Sequence, residues 1–340
     1  MNSYYLRRTG RAILTIWVVM TLTFGLIRFL PGGPLVQLRG QLLRAGVDPG
    51  RIEVVVQNYQ GINPDAALHQ QYFRYMGNLL QGDLGKSITA GVDGNSAVSA
   101  IIADALPWTV LVMVTATLLM FFIGLLMGAI MAYKEGSLFD TASSVLGIVL
   151  SSIPFYIFAI LLVWMFGYQY NIFPARGRIG AGVELGEVGM IAFALDVLYH
   201  AALPIISVVL TGWGVQALAM RGNSIQVLGE DYVRVARLRG LATKRIATQY
   251  VARNAMLPMY TGLLTAIGFN LGGSVILEEV FSYPGVGYYM FGALEDRDYP
   301  LMMGIFLVIT IAVVIALFIA DLTYGMIDPR VTTGDSNEAY

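Results

Sequence analysis

Cysteine is absent from the 340 residues, and the only two histidines, His69 and His200, are far apart in the chain. Without thiols there can be no disulfide framework, no thiolate nucleophile and no iron–sulfur cluster. Two separated histidines do not supply a histidine-rich zinc site. Redox and zinc chemistry are therefore nearly excluded, and we predict neither a metal site nor a catalytic residue.

Charged residues are also scarce: they make up 13% of the chain, whereas soluble domains carry about 25%. Hydrophobic residues make up 56%. The 21 basic and 22 acidic residues nearly cancel, so the chain has no global field that would attract nucleic acid. This composition predicts a protein with much of its surface facing the lipid bilayer and excludes a nucleic-acid binder.

Long apolar stretches recur along the chain. A membrane-spanning helix needs roughly 20 largely apolar residues, because the hydrocarbon core is about 30 Å thick. The first stretch is too long for a typical signal core and is followed by no small-x-small cleavage site, so we interpret it as a retained anchor. The pattern predicts an all-α polytopic membrane protein with six transmembrane helices. The predicted spans are 10–30, 107–133, 138–167, 200–220, 257–279 and 301–326.

The distribution of basic residues predicts the orientation. The loop 221–256 carries seven Lys and Arg against two acidic residues, whereas the loop 280–300 has only Arg297 against three acidic residues. Basic loops stay on the cytoplasmic side, so both termini are predicted to be cytoplasmic. The predicted pieces are 1–30 (N-terminus and first helix), 31–106 (extracytoplasmic insertion), 107–326 (transmembrane core with loop 221–256) and 327–340 (cytoplasmic tail).

Two polar segments are predicted to lie outside. The segment 168–199 is external, and its apolar run 188–195 is too short to cross a bilayer and is expected to lie on the surface. The insertion 31–106 is a small aqueous cap whose helical spacing of apolar residues predicts short amphipathic helices. Those residues are Ile52, Val55, Val56 and Tyr59, then Tyr72, Tyr75, Met76, Leu79 and Leu80.

Residues 80–87 end in Gly-Lys-Ser, like a phosphate-binding loop. Such a loop needs glycine where Leu80 stands, with a strand before it and a helix after it, and this segment is on the wrong side for cytoplasmic ATP. We interpret the match as chance. Any energy from ATP must therefore come from a partner protein.

The cytoplasmic loop reads as a helix, a turn and a second helix. The first helix is predicted to end at Gly240 as a glycine C-cap, and the second to begin with Thr243 as its N-cap. Pro258 marks a rigid re-entry into the bilayer. Two interpretations stay open from these residues alone: a pair of interfacial helices in an ordinary basic loop, or a docking surface that transmits force from another protein.

This loop resembles the cytoplasmic coupling loop of ABC importer permeases of the binding-protein-dependent type, in the oligopeptide and dipeptide branch. It departs from the general pattern where Arg234-Val235-Ala236 replaces an acidic start and where Ala255 stands for isoleucine, and its distance from Gly240 to Pro258 is longer. Further matching stretches follow in the family's order: Arg7–Arg11, Pro31–Pro34, Gly82–Ser87, Gly272–Ser274, Glu278–Gly287, Arg297–Pro300 and Asp328–Arg330.

The resemblance implies a type I ABC importer permease fold in a prokaryotic cytoplasmic (inner) membrane. It also implies a second, related permease, two cytoplasmic ATP-binding subunits that hold ATP and Mg²⁺, and an external solute-binding protein. A short helix around Leu241–Ile246 would sit in a groove of the ATPase. The implied coupling residues are Arg234, Ala236, Arg237, Arg239, Gly240, Leu241, Ala242, Thr243, Lys244 and Pro258.

Polar residues inside the spans are candidates for a translocation path, each against a structural alternative. Ser151-Ser152-Ile153-Pro154 forms either a packing kink or part of the path. Asn270 and Gly272-Gly273-Ser274 either line the path or allow close helix contact. The pair Glu278 and Glu279 meets either a cationic amino group or interfacial water. The candidates are Ser151, Ser152, Pro154, Asn270, Ser274, Glu278 and Glu279.

The resemblance makes the leading hypothesis a transport subunit of an importer of di- and oligopeptides, without an ATPase site of its own. The same branch also carries oligosaccharides, glutathione and nickel complexes. The rival from another class is a stand-alone channel or secondary carrier whose basic loop is only a topology signal. No relay of ionisable groups crosses the predicted bilayer centre, which counts against a proton-driven carrier.

Overall fold

The computed structural model of the chain describes residues 2–29, 39–40, 43, 46, 48–52, 66–87, 97–183, 186, 188–242, 245–270 and 272–327. Its described residues form helices and no β-strand, with an isolated bridge between Lys86 and Ala97. The prediction of a helical protein is confirmed to that extent. The chain divides into two compact units: Met1–Thr109 with Leu271–Glu279 and Pro284–Phe318, and Val110–Asn270 with Val280–Tyr283 and Ile319–Tyr340.

The helices, in chain order, include several that are far longer than an average globular helix. Two π-helical segments, Val163–Gln169 and Ile246–Ala252, extend them. The α-helices are α1 Asn2–Phe29, α2 Leu68–Leu80, α3 Val98–Tyr133, α4 Leu138–Ser151, α5 Phe155–Leu162, α6 Met190–Leu228, α7 Asp231–Leu238, α8 Leu257–Asn270, α9 Val275–Val280, α10 Val286–Glu295 and α11 Tyr299–Ile327.

Among the residues that the structure describes, three helices are long and apolar enough to cross a membrane: α3, α6 and the Tyr299–Ile319 part of α11. The bent pair that α4 forms with the next helix makes a fourth if it is counted as one span. Helix α1 contains a shorter apolar stretch, Thr9–Gly25. The chain is therefore a multi-pass membrane protein, and the count of six spans remains a prediction.

Helix α6 corrects one prediction. The apolar run 188–195 was expected to lie on the surface apart from the fourth span, but from Met190 it is the start of α6, which continues to Leu228. The charged residue that interrupts the hydropathy, Asp196, is satisfied: it accepts a hydrogen bond from the Gly180 N–H at 2.7 Å and lies 3.4 Å from His200. Helix α3 likewise begins at Val98, well before the predicted start at 107.

Two other predicted spans are broken. The predicted span 257–279 is not one helix, because α8 ends at Asn270 and α9 begins at Val275, with Gly273 between them at φ +76°. A left-handed residue cannot continue a right-handed helix. The kink predicted at Pro154 is confirmed as a sharp break, and the helices on either side are bent by 89°. Proline lacks the N–H that a continuing helix needs.

In the unit that contains α6, small residues allow close helix contact. A Cβ added to Gly147 of α4 would lie 2.9 Å from the Cα of Gly214 in α6. A Cβ added to Gly128 of α3 would lie 2.7 Å from the Cβ of Met220. Such contacts between backbones drive helix association in a bilayer, where the hydrophobic effect between helices is lost.

The other unit has an apolar core next to a buried polar anchor. Ser87 is buried and its hydroxyl donates to Asp298 Oδ2 at 2.5 Å, while Asp298 Oδ1 accepts the Leu301 N–H at the start of α11. Ser87 of the Gly-Lys-Ser stretch therefore anchors a loop. The core consists of Val98, Ile101, Ile102, Ala105, Val286, Ala293, Leu301 and Ile305.

Candidate functional site

The corner of the basic loop is closed by a local hydrogen-bond motif. Helix α7 ends at Leu238, and Gly240 has φ +69°. The Gly240 N–H donates to the Arg237 carbonyl at 2.9 Å, and the Leu241 N–H donates to the Ala236 carbonyl at 3.3 Å. This pair of bonds is the Schellman motif, which satisfies carbonyls that the helix end leaves free. The predicted glycine C-cap is confirmed.

An apolar cluster fixes the corner against the following segment. Val233 and Ala236 of α7 are buried with Ile246 and Val251 of the π-helical segment, and Leu241 packs against them. Contact between the residue after the glycine and the last turn of the helix often accompanies this motif. The two arms of the loop therefore form one packed body.

The remaining sides of α7 and the residue after it face outward. Arg234, Arg237 and Arg239 are exposed, and Leu238 between them is 81% exposed. Tyr232 and Val235 of α7 are exposed as well, so apolar and cationic side chains are mixed on this surface. Among the other predicted coupling residues, Ala236 is buried, Gly240, Ala242 and Pro258 are exposed, and Thr243 and Lys244 lie outside the described residues.

The second helix of the loop differs from the prediction. Leu241 and Ala242 are not helical, so the short helix expected around Leu241–Ile246 does not begin at Leu241. The Ala242 carbonyl accepts hydrogen bonds from the N–H groups of Arg245 and Ile246, which starts the helical bonding. The predicted N-cap Thr243 lies outside the described residues. A π-helical segment occupies Ile246–Ala252, where the sequence predicted an ordinary helix.

Replacing Gly240 by alanine is expected to weaken this corner. A side chain at φ +69° costs about 1–2 kcal/mol, and this raises the open fraction of the corner by about 5–30-fold. Hydrogen exchange at the Gly240 position and at Leu241 measures that opening. The matched control is Gly229→Ala, at the end of α6, where φ is −79° and alanine fits. Equal protection in both variants would contradict the role of Gly240.

A buried ion pair joins the first turn of α4 to α6. Arg221 Nε donates to Asp140 Oδ1 at 2.6 Å and Nη2 donates to Oδ2 at 2.9 Å, a two-pronged contact. The Asp140 side chain is 4% exposed and that of Arg221 is 28% exposed. Asp140 also accepts the Gly136 N–H, and its own N–H donates to Ser137, the N-cap of α4.

A cavity of about 320 Å³ lies beside the corner. It joins the end of α3, the end of α6 and both arms of the loop, and Arg237 supplies its charge. This recess lies next to the exposed arginines of the loop. The lining residues are Tyr133, Leu228, Arg237, Leu241, Ile246 and Ala247.

The predicted path residues of the α6 unit are partly engaged by their own chain. The hydroxyls of Ser151 and Ser152 donate to the Ile148 carbonyl at 3.0 and 2.8 Å, and Pro154 is exposed. Asn270 is half-buried, and its Nδ2 donates to Thr117 Oγ1 at 2.8 Å. Both hydroxyls thus bond locally at the end of α4, to a carbonyl that also accepts the Ser152 N–H.

In the other unit, Glu278 has a different place from the one predicted. It is 2% exposed, and its carboxylate accepts hydrogen bonds from Thr109 Oγ1 at 2.9 Å and from the Tyr288 N–H at 3.0 Å. Neither predicted alternative, a cationic amino group or interfacial water, fits this carboxylate. Ser274 accepts the Leu277 N–H and caps α9, and Glu279 is half-buried.

Sequence reasoning missed the roles of three residues. Thr109 was not identified as a partner of Glu278, and Asp140 and Arg221 were not identified as an ion pair. Asp140 and Arg221 did carry a signal, because each is an isolated charge at the predicted cytoplasmic end of a span. Opposite charges at equal depth in neighbouring helices predict a pair. Within the described residues, no group of three His, Asp or Glu side chains is arranged to hold a metal ion.

Comparison with known proteins gives the family. Residues 124–333 match the family described as "Binding-protein-dependent transport system inner membrane component". The "Di/tripeptide transport system permease protein DppB" of Pseudomonas aeruginosa is 32% identical over 97% of this chain and 99% of its own length. The "Dipeptide transport system permease protein DppB" is 29% identical in Escherichia coli K12 and 30% identical in Bacillus subtilis, again over 97% of this chain, and over 99% and 98% of the relatives.

The match and the relatives confirm the resemblance drawn from the motifs. The matched region contains α6, the whole basic loop and the Asp140–Arg221 pair. The family is one of membrane transport components, not of enzymes. The chain belongs to the family of inner membrane permease components of binding-protein-dependent transport systems.

Proposed function

We propose that this chain is a pore-forming subunit of an ATP-driven importer of di- and oligopeptides. The relatives named above, which are aligned over almost their full length, support the peptide class. In this proposal the chain has six spans and cytoplasmic termini, with residues 31–106 outside. A second permease, two ATP-binding subunits and a solute-binding protein complete the importer.

The observation that carries the proposal is the packed corner with its exposed arginines. Because α7 and the segment that follows Leu241 share one buried cluster, a push on the exposed side moves both arms together. The Asp140–Arg221 pair extends that rigid connection to α4 and α6. ATP-driven closure of partner ATPases would then shift the spans between inward-facing and outward-facing arrangements. ATP and Mg²⁺ belong to those partners.

Residue roles follow from this placement. The exposed coupling surface consists of Arg234, Arg237, Arg239 and Ala242, with Ala236, Gly240 and Leu241 as its internal support. Thr243, Lys244 and Pro258 complete the proposed coupling set. The proposed path keeps the exposed or half-buried candidates, and Glu278 instead supports the backbone around them. Those path candidates are Ser151, Ser152, Pro154, Asn270, Ser274 and Glu279.

Reversing two charges of the corner tests the proposal. The double change Arg237→Glu and Arg239→Glu is expected to leave membrane insertion intact, because both side chains are exposed. Peptide uptake by proteoliposomes that contain the complex is expected to fall by at least about tenfold, since misplaced like charges at an interface cost several kcal/mol. ATPase subunits that co-purify with the permease should fall in parallel.

The control is Arg51→Glu, which reverses an exposed arginine of the proposed external insertion. It is expected to leave ATPase co-purification unchanged. Normal uptake in the double variant would overturn the coupling role. A fully active preparation that contains only copies of this chain would favour a stand-alone channel or carrier and would overturn the importer proposal.

A further inference from the structure

Helix α2 packs one face against α1. The Tyr72 ring meets Phe24 of α1 at 5.5 Å between centroids, and the Tyr75 ring meets it at 5.4 Å. The hydroxyls of Tyr72 and Thr21 share a hydrogen bond of 2.8 Å. Burial raises the pKa of Tyr75 to about 12, so this phenol is neutral where it faces the apolar helix. The contact is therefore specific and places α2 beside the second half of α1.

The side of α2 that carries Phe73 and Leu80 is not covered by the described residues. Phe73 is 70% exposed and Leu80 is 82% exposed. They lie seven residues apart with Gly77 between them, so all three share one side of the helix. A Cβ added to Gly77 would meet nothing within 4 Å. The helix therefore exposes two large apolar side chains on one side, and exposed polar residues share that side.

The part of α1 that α2 contacts indicates what covers the side of α2 with Phe73 and Leu80. Thr21 and Phe24 belong to the apolar stretch Thr9–Gly25, whose exposed side chains include Trp17 at 48% and Leu22 at 60%. In a membrane protein such a stretch lies at the depth of the acyl chains. Helix α2 therefore touches α1 at that depth, and its apolar face continues the lipid-facing surface of α1.

The polar residues of α2 fit the same arrangement. His69, one turn before Phe73, lies on the same side of α2, and Gln70 and Arg74 are exposed next to it. A helix with an apolar face and polar flanks lies in the membrane interface, with the apolar side chains among the upper acyl groups and long polar side chains at the headgroups.

We propose that α2 is an interfacial membrane helix, and that Phe73 and Leu80 insert into the leaflet at the carboxyl end of α1. This changes the sequence prediction that residues 31–106 form an aqueous cap, because at least α2 would be held against lipid. The inference holds for either orientation of the chain, and it does not depend on the transported cargo.

The absence of cysteine makes the test direct, because a single introduced cysteine carries the only spin label on the chain. Phe73→Cys and Leu80→Cys are labelled in the complex, with the partner subunits made free of reactive cysteine, and reconstituted in phosphatidylglycerol and phosphatidylethanolamine vesicles. Collision with oxygen reports lipid, and collision with a water-soluble nickel chelate reports water. Leu22→Cys is the lipid reference and Gln81→Cys, in the exposed turn after α2, is the water reference.

Labels at residues 73 and 80 are expected to resemble Leu22→Cys, at a depth of about 5–10 Å below the phosphates. Access to the nickel chelate equal to that of Gln81→Cys would overturn the proposal and leave the face for a soluble partner. Protection from both reagents would also overturn it, because a protein subunit would then cover the face. If either cysteine variant fails to assemble, Phe73→Trp gives the same decision: brominated acyl chains must quench the added fluorescence, and its persistence would contradict insertion.

Discussion

Arg221→Met is expected to lower the free energy of unfolding of the permease by about 3 kcal/mol. Loss of one partner of a buried ion pair costs about 3–5 kcal/mol, and the 28% exposure of Arg221 places this variant at the low end. The Asp140 side chain, 4% exposed beside Arg221, would then lack its cation. Thermal and denaturant unfolding of the purified complex measure the loss. Arg221→Lys should lose less, because lysine keeps the charge but not the two-pronged contact.

A second substitution distinguishes two contributions to the loss of stability: the charge left without a partner and the lost side-chain packing. In Asp140→Asn with Arg221→Met, no charge remains in the site, and the amide oxygen can still accept the Gly136 N–H. Most of the lost stability is expected to return, because removing both charges also removes the uncompensated one. If the loss of stability in the double variant equalled the sum of the losses in the two single variants, the ion pair would be contradicted. The matched control is Arg253→Met at an exposed arginine of the same loop, with a change within about 0.5 kcal/mol.

Hydropathy predicted the long helices well and their ends poorly. The apolar parts of α3, α6 and α11 were found because a run of apolar residues is a property of the local sequence. The start of α6 was missed because Asp196 and His200 lower the local hydropathy, although the structure satisfies Asp196 with the Gly180 N–H. A hydropathy average includes the unfavourable value of a charged residue, but it does not include the hydrogen bond that compensates that charge in the fold.

The predicted parts of the site depend on local sequence, whereas the missed parts depend on contacts between residues far apart in the chain. The corner at Gly240 was predictable, because its hydrogen bonds involve residues within five positions along the chain. The Asp140–Arg221 pair joins residues 81 apart, and the Thr109–Glu278 bond joins residues 169 apart. Those contacts depend on how the helices pack. The sequence therefore identified the polar residues but did not show which of them bond to each other.

Gly285→Ala is expected to disrupt folding of the unit that contains α10. A Cβ at Gly285 would lie 2.5 Å from Glu278 Oε2 and closer still to Thr109 Oγ1. Thr109 Oγ1 also accepts the Val286 N–H at 2.8 Å, so neither oxygen can move away without losing a bond. Each buried group left without its partner costs about 1–3 kcal/mol.

The matched control is Gly292→Ala on the same helix, where an added Cβ meets nothing within 4 Å. Alanine in a helix interior is more favourable than glycine by about 0.5–1 kcal/mol, so this variant should be unchanged or slightly more stable. Thermal unfolding of the complex and the amount of permease in the membrane measure both variants. Equal behaviour of the two would show that Gly285 has room for a side chain.

Glu278→Gln tests the same network from the other side. The amide keeps one acceptor oxygen and replaces the other by a donor, which would face a hydroxyl or the Tyr288 N–H that now donates to the carboxylate. We expect a loss similar to that of Gly285→Ala. Together with Gly285→Ala it should cost less than the sum, because both changes break the same bonds. An additive loss, or normal stability of Glu278→Gln, would mean that the buried carboxylate does not hold α9, α10 and α3 in place.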